Sequence, residues 1–125
     1  MAHTPMELQE RTRAFALRVF RSLPNSGEGR ILGQQLFRSA TSVAANYRAA
    51  CRARSHRDFV SKLGIVEEEA DESLFWLEFI AEAGLLPRNK LRELISEASQ
   101  LTAIIVASRR TAKGNNRQSK IVNRK

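Results

Sequence analysis

Apolar residues recur every three or four positions along four successive segments of this chain, and this spacing limits its possible folds more than any other feature. A period near 3.6 places such residues on one side of an α-helix, whereas a half-buried strand needs strict alternation. Gly (6) and Pro (3) are scarce among the 125 residues, and a protein built from short strands needs more turn residues. The sequence therefore excludes an all-β fold and predicts an all-α protein.

The first two helices have clear start and stop signals. Thr4-Pro5-Met6-Glu7 has the pattern of a capping box with proline at the first helical position. Helix one should run to about Leu23, before the breaker Pro24-Asn25-Ser26-Gly27, and helix two from about Glu28 to Ala53. Their inward residues are predicted to be Leu8, Phe15, Ala16, Val19, Phe20 and Leu23 in helix one, and Leu32, Leu36, Ala40, Val43, Tyr47 and Ala50 in helix two.

Two more helices follow with short connections. Ser55 can cap helix three, which should reach about Ala83, and helix four is expected from about Arg88 to Thr111. Four such helices predict an antiparallel up-down four-helix bundle over residues 1–112. The inward residues are predicted to be Phe59, Leu63, Val66, Ala70, Leu74, Leu77 and Ala81 in helix three, and Leu91, Leu94, Ile95, Ala98, Leu101, Thr102 and Ile105 in helix four.

The segment 113–125 differs in composition from the rest of the chain. It holds five basic residues and no acidic one, and it has too little apolar surface to offset the entropy of ordering it. We therefore predict a disordered basic tail. The tail carries five of the eight net positive charges, which leaves +3 on the predicted bundle.

Cysteine usage and hydropathy indicate a cytoplasmic protein with no membrane partner. The single Cys51 cannot form a disulfide within the chain, which is expected of a reducing compartment. The N-terminus lacks the apolar core of a signal peptide. The longest apolar run, 104–107, is far shorter than the roughly 18 residues that span a bilayer.

Residues suited to catalysis or metal binding are few and scattered. The candidates are His3, Cys51, His56 and the acidic residues of 67–72, which could instead form a solvated or ion-paired face. No Glu-x-x-His pair occurs for a di-iron bundle, and Arg52 precedes His56 at the wrong spacing for a small helical ribonuclease. Nucleotide-binding glycine motifs are absent. We expect no enzyme activity, no metal and no cofactor.

A stripe of arginines is the strongest surface feature of helix two. The stripe consists of Arg30, Arg38, Arg48 and Arg52. These four residues lie within a sector of about 80° around the helix axis, roughly opposite the apolar side. Arginine suits phosphate, so the stripe predicts RNA binding, although it could also be a solubilising face paired with acidic helix three. Only Phe37 lies near the stripe, so base stacking is not expected. The candidate RNA contacts are Arg30, Arg38, Arg48 and Arg52, extended by Arg54, Arg57 and Lys62, with Lys113, Arg117, Lys120, Arg124 and Lys125 of the tail.

Helix three carries more apolar residues than one face can bury. Ile65, Trp76, Phe79 and Ile80 form a second apolar region outside its predicted core face, and such a patch is an association liability on a monomer. Glu69 and Glu72 lie on the same side as Trp76. These six residues predict the interface of a homo-oligomer.

The amino-acid sequence of predicted helices two and three is specific enough to suggest a family. The chain resembles the bacterial four helix bundle proteins encoded in intervening sequences of 23S ribosomal RNA genes, roughly from Phe15 to Ile105. The segments that carry the resemblance are Leu36-Phe37-Arg38-Ser39-Ala40-Thr41-Ser42-Val43-Ala44-Ala45-Asn46-Tyr47-Arg48, Arg52-Ala53-Arg54-Ser55, Asp58-Phe59, Lys62-Leu63-Gly64-Ile65-Val66-Glu67 and Glu69-Ala70-Asp71-Glu72-Ser73-Leu74-Phe75-Trp76-Leu77-Glu78.

The resemblance implies an up-down bundle that assembles as a ring-like homopentamer, with no assigned catalysis and a link to RNA. Related accessory proteins of diversity-generating retroelements form similar basic pentamers that bind reverse transcriptase and its RNA template. This chain differs by having Ala49 and Ala50 where an acid is common, and by its tail. We therefore expect a non-enzymatic oligomer that binds RNA or a ribonucleoprotein. The alternative is a protein-binding scaffold or accessory subunit, for example for a reverse transcriptase, with no direct RNA role.

Overall fold

The structure, a computed structural model, describes residues 3–24 and 27–123, with side chains described as far as residue 114. It contains four α-helices, α1 (Pro5–Ser22), α2 (Gly27–Cys51), α3 (His56–Glu82) and α4 (Arg88–Asn123). Each helix packs against its neighbours in sequence, and α1 also contacts α4, whereas diagonal pairs of helices make no close backbone contact in the described ranges. This neighbour pattern confirms the predicted antiparallel up-down four-helix bundle.

Local capping interactions set the helix boundaries, as the sequence predicts. The Thr4 hydroxyl accepts from the Glu7 N–H at 3.1 Å, and the Glu7 carboxylate accepts from the Thr4 N–H at 3.2 Å, which completes a capping box. Ser55 caps α3 by accepting from the Asp58 N–H at 3.0 Å. Gly84 follows α3 with φ +70, a backbone conformation that glycine adopts without steric cost.

One continuous apolar core joins all four helices. Val19, Val43, Leu63 and Ile105 are fully buried or nearly so, and they lie at the predicted inward positions of the four helices. The core also contains a polar contact that the pattern does not predict, because Ser73 donates to Ser39 at 2.9 Å between α3 and α2.

Two features differ from the expectations. Phe20, predicted to point inward, is 57% exposed and instead packs against Phe37, with ring centroids 5.6 Å apart. The last helix is also longer than expected, since the backbone of α4 continues past Thr111 to Asn123. No proline interrupts this segment, and adding residues to an existing helix avoids the cost of nucleation. The domain boundary after residue 112 stays a prediction.

None of the helices described here is long and apolar enough to cross a membrane.

Candidate nucleic-acid interface

One end of the bundle brings together the start of α1, the connection between α2 and α3, and the last well-packed turns of α4. Pro5, Tyr47, His56 and Ala112 line one hollow there, although they come from four different helices. The His56 Nε2 atom lies 2.7 Å from the Ala112 carbonyl oxygen, which ties the first turn of α3 to α4. The antiparallel topology therefore places residues around 52–57 beside residues around 112.

Four exposed cations surround this end, and we call them the basic end: Arg52, Arg54, Arg57 and Lys113. Among the described residues, none of the four forms an ion pair with a carboxylate. Lys62, about one turn further into α3, is paired with Asp58 at 3.5 Å. The basic end therefore presents positive charge that no described acidic side chain neutralises.

The predicted arginine stripe of α2 does not act as one surface. Arg38 contacts Glu69 at 3.2 Å and donates a hydrogen bond to Glu72, and this hydrogen bond is the main reason why the pKa of Arg38 is raised. Arg30 lies at the opposite end of the bundle, beside Pro24. Arg48 lies along the outer groove between α1 and α2.

Residues predicted for two separate surfaces thus bind each other. Arg38 was expected to contact RNA, whereas Glu69 and Glu72 were expected at an oligomer interface, but the packing of α2 on α3 brings all three together. The ion-paired alternative for the acidic run is correct at these positions, and also at Glu67, which lies 3.1 Å from Arg109 of α4.

The basic residues of the predicted tail are only partly described. Lys113 is exposed beside the first turn of α3. Arg117 and Lys120 belong to the backbone of α4, but their side chains lie outside the described part of the chain. Arg124 and Lys125 lie outside the described residues altogether.

Comparison with known families gives a clear match. The family model described as 23S rRNA-intervening sequence protein matches residues 5–107. The chain belongs to this family. The resemblance seen in the sequence is therefore confirmed, and Arg52, Arg54 and Arg57 lie within the matched range, whereas Lys113 lies beyond it.

A solved structure supports the same conclusion for the fold. A protein of unknown function from the S23 ribosomal protein family of Bacteroides thetaiotaomicron is similar with a TM-score of 0.78 and 26% identity. The similarity covers 85% of this chain and 97% of that one. A comparison with curated proteins finds no match.

The protein exposes an apolar ridge on α3, formed by Ile65, Phe75 and Phe79. Phe75 and Phe79 are 54% and 44% exposed, and both rings contact Trp76, at centroid distances of 5.0 and 6.2 Å. The indole N–H of Trp76 is buried without a hydrogen-bond partner among the described groups. The ridge includes Phe75, which the prediction missed although it lies four positions before Phe79.

One predicted interface residue is not at the surface. Ile80 is completely buried and belongs to the core of the bundle. It follows Leu77 of the core by three positions, and residues with that spacing share a helix face. The prediction of Ile80 as an interface residue is therefore wrong.

The groups suited to catalysis do not converge. In the described ranges, no group of three or more His, Cys, Asp or Glu side chains could hold a metal ion. His3 is exposed, and His56 contacts a backbone carbonyl. Cys51 lies near Tyr47, whose pKa is raised mainly by burial and also by this thiol, so the Tyr47 hydroxyl stays neutral at physiological pH.

Proposed function

We propose that this intervening-sequence protein is a non-enzymatic RNA-binding protein that contacts phosphates with its basic end. The observation that best supports this proposal is the grouping of Arg52, Arg54, Arg57 and Lys113 with no ion-paired carboxylate among the described residues. Guanidinium groups offer a planar set of donors that matches phosphate oxygens. Several of them near one another can follow a phosphate backbone and release its counterions.

The ion pairs of other arginines in the same molecule support this interpretation. Arg11, Arg38 and Arg109 are each paired with a carboxylate across a helix interface. At the basic end, Arg52, Arg54, Arg57 and Lys113 lie close together in the fold without such partners among the described residues, and this grouping supports phosphate binding. The family is named for 23S rRNA, and RNA is the class of polyanion that such an end would bind.

A salt titration tests the proposal. Binding of a fluorescent single-stranded RNA is measured between about 0.05 and 0.3 M salt for the native chain and for Arg54→Ala/Arg57→Ala. Each lost phosphate contact should make the log-log slope shallower by about 0.7, so the double variant should lose up to about 1.4. The matched control is Arg88→Ala/Arg92→Ala, which removes the same charge from exposed positions at the opposite end.

The outcomes separate RNA binding from the protein-scaffold alternative. A slope that changes equally in both double variants would indicate a general charge effect and contradict a role for the basic end. The absence of RNA binding near 0.15 M salt would favour the scaffold or accessory subunit.

We also propose that the protein forms a homo-oligomer, a pentamer as the resemblance implies, through the α3 ridge. The occupant of this ridge is a second copy, whose groove between α1 and α2 has a volume of about 780 Å³ and an apolar lining that includes Leu17, Phe20 and Phe37. The charges favour this contact, because the groove has two arginines, Arg13 and Arg48, against one acid, Glu10, whereas exposed acidic residues flank the ridge. The flanking acids are Glu68, Asp71 and Glu78.

The geometry of this contact favours a ring. The ridge and the groove are different surfaces of one copy, so each contact is heterologous and leaves a ridge or a groove open at each end of a chain of copies. When the copies close into a ring, the free ridge of one terminal copy fills the free groove of the other.

A further inference from the structure

A pocket lined by all four helices opens at the basic end. Its volume is about 640 Å³, within the roughly 300–1,000 Å³ range of small-molecule sites. Leu8, Leu63 and Ile104 supply apolar walls, and the rings of His56 and Phe59 lie at its edge. These two rings are 6.3 Å apart with an interplanar angle of 44°.

A second hollow adjoins the first. It measures about 490 Å³ and shares Pro5, His56 and Phe59 with the larger pocket. Arg54 lines this second hollow, and Arg57 is exposed one turn further along. An apolar compartment and a second compartment that holds one arginine, Arg54, therefore meet at the same two rings.

We propose that the two compartments bind one unpaired nucleotide of an RNA strand, with the base beside Phe59 and His56 and the phosphate beside Arg54. This inference rests on the proposed RNA binding and adds a base-dependent contact to it. A nucleobase combines an apolar face, which suits the rings, with a polar edge. The Ser108 and Thr111 hydroxyls line the pocket and can hydrogen-bond that edge.

The pocket favours single-stranded RNA over a duplex. A base inside a helix is stacked on its neighbours and cannot enter a pocket without being unstacked, whereas an unpaired base is available to aromatic side chains. Stacking on a ring tolerates every base because every base has a π-face. Sequence periodicity predicts Phe59 as a core residue of α3 and so provides no reason to expect base stacking, whereas the structure leaves Phe59 half-buried beside the arginines.

The test compares two RNA strands of equal charge on the native full-length chain. Fluorescence anisotropy at about 0.15 M salt measures the affinity of an end-labelled eight-nucleotide polyuridine RNA and of the same strand with abasic riboses. The two strands have the same phosphates and differ only in the bases. Base-dependent binding should make the abasic strand bind at least about fivefold more weakly. Equal affinity for the two strands would overturn the inference.

A variant locates the contact. Phe59→Leu keeps an apolar side chain but removes the ring, so it should bring the affinity for polyuridine close to that for the abasic strand. The matched control is Ile31→Ala, which removes a more exposed apolar side chain from the other end of the bundle, outside the groove and the ridge, and should keep the native preference. Thermal melting of both variants checks that they are folded.

Different results would refute the nucleotide pocket and the proposed RNA binding. If both strands bind equally, with affinity that still depends on salt and on Arg54 and Arg57, the phosphate contact stands and the nucleotide pocket is refuted. If neither strand binds the native chain, both are refuted. If the base preference survives in Phe59→Leu but is lost in Ile31→Ala, the assignment of the base to this pocket is refuted.

Discussion

Arg11 donates two hydrogen bonds to Glu97 across the contact of α1 with α4, from Nε at 2.8 Å and from Nη2 at 2.6 Å. This two-point geometry lowers the pKa of the Glu97 carboxyl and raises the pKa of Arg11, in both cases chiefly through the hydrogen bonds. At the scale of residues, the arginines of this protein therefore differ in availability, since Arg11 is committed to a carboxylate whereas Arg54 is exposed at the basic end. The sequence pattern does not distinguish these two kinds of arginine.

We predict that Glu97→Gln lowers the free energy of unfolding at pH 7 by about 1 kcal/mol, because it removes a part-buried charged pair. The pKa of Glu97 is lower in the folded state, so its contribution is complete above the ordinary value of 4.5 and is lost as the pH falls through the lowered pKa. Urea unfolding should therefore show the native chain and the variant becoming more similar between pH 7 and pH 3.

The control for this prediction is Glu93→Gln. Its carboxylate lies 3.5 Å from Arg18 and is 77% exposed, so its loss should change stability little at either pH. A Glu97→Gln deficit of the same size at pH 7 and pH 3 would contradict the assignment to this ion pair.

At the scale of elements, two glycines let neighbouring segments approach a helix closely, but with different neighbours. A Cβ at Gly29 of α2 would lie 2.9 Å from the ring of Pro24, which has little freedom to move. A Cβ at Gly64 of α3 would lie 3.3 Å from the guanidinium of Arg109, the far end of a flexible side chain. The first contact fixes how α1 turns into α2, whereas the second can adjust.

We predict that Gly29→Ala lowers the free energy of unfolding by about 1–3 kcal/mol through overpacking against Pro24. In contrast, Gly64→Ala should leave stability unchanged or raise it by up to about 1 kcal/mol, because alanine is the better helix former. Urea unfolding of the two variants measures both. If Gly29→Ala is as stable as Gly64→Ala, Pro24 can move away from the added methyl group at little cost, and the prediction is contradicted.

At the scale of the whole molecule, the three surfaces proposed to bind RNA or a second copy lie in different places. The basic end closes one end of the bundle, the apolar ridge runs along α3, and the groove lies between α1 and α2. A ring made by ridge-to-groove contacts would therefore leave the basic ends of all copies accessible. Several copies held together would bind one RNA more tightly than a single copy does.

We predict that the native chain has a mass several times 14.1 kDa in light scattering at micromolar concentration, and that Phe75→Glu/Phe79→Glu reduces it to that of a single chain. The two added charges would be buried in the proposed contact, whereas both rings are exposed on one copy, so the fold should tolerate them. A native mass near 14.1 kDa would refute the assembly.

The control for the assembly adds the same charge elsewhere. Ser96→Glu/Ser99→Glu places two carboxylates on an exposed part of α4, away from the ridge and the groove, and should leave the mass unchanged. Dissociation of this variant as well would mean that net charge, and not the ridge, controls association.

The sequence by itself determined the four helices, their caps and the family, because these depend on residues close together in the chain. Thr4 and Ser55 hydrogen-bond groups three positions away, and the apolar spacing needs no partner to be recognised. The end of α4 was the exception, since composition signals the lack of a core but does not by itself stop a helix that has already formed.

The tertiary structure alone decided which of the predicted surface residues are available. Arg38 meets Glu69 and Glu72 only because α2 and α3 pack side by side, and Ile80 is buried by helices that lie far from it in sequence. The pocket beside Phe59 likewise needs walls from all four helices. Such contacts depend on the distances between elements, and the periodicity within one helix gives its faces but not what each face meets.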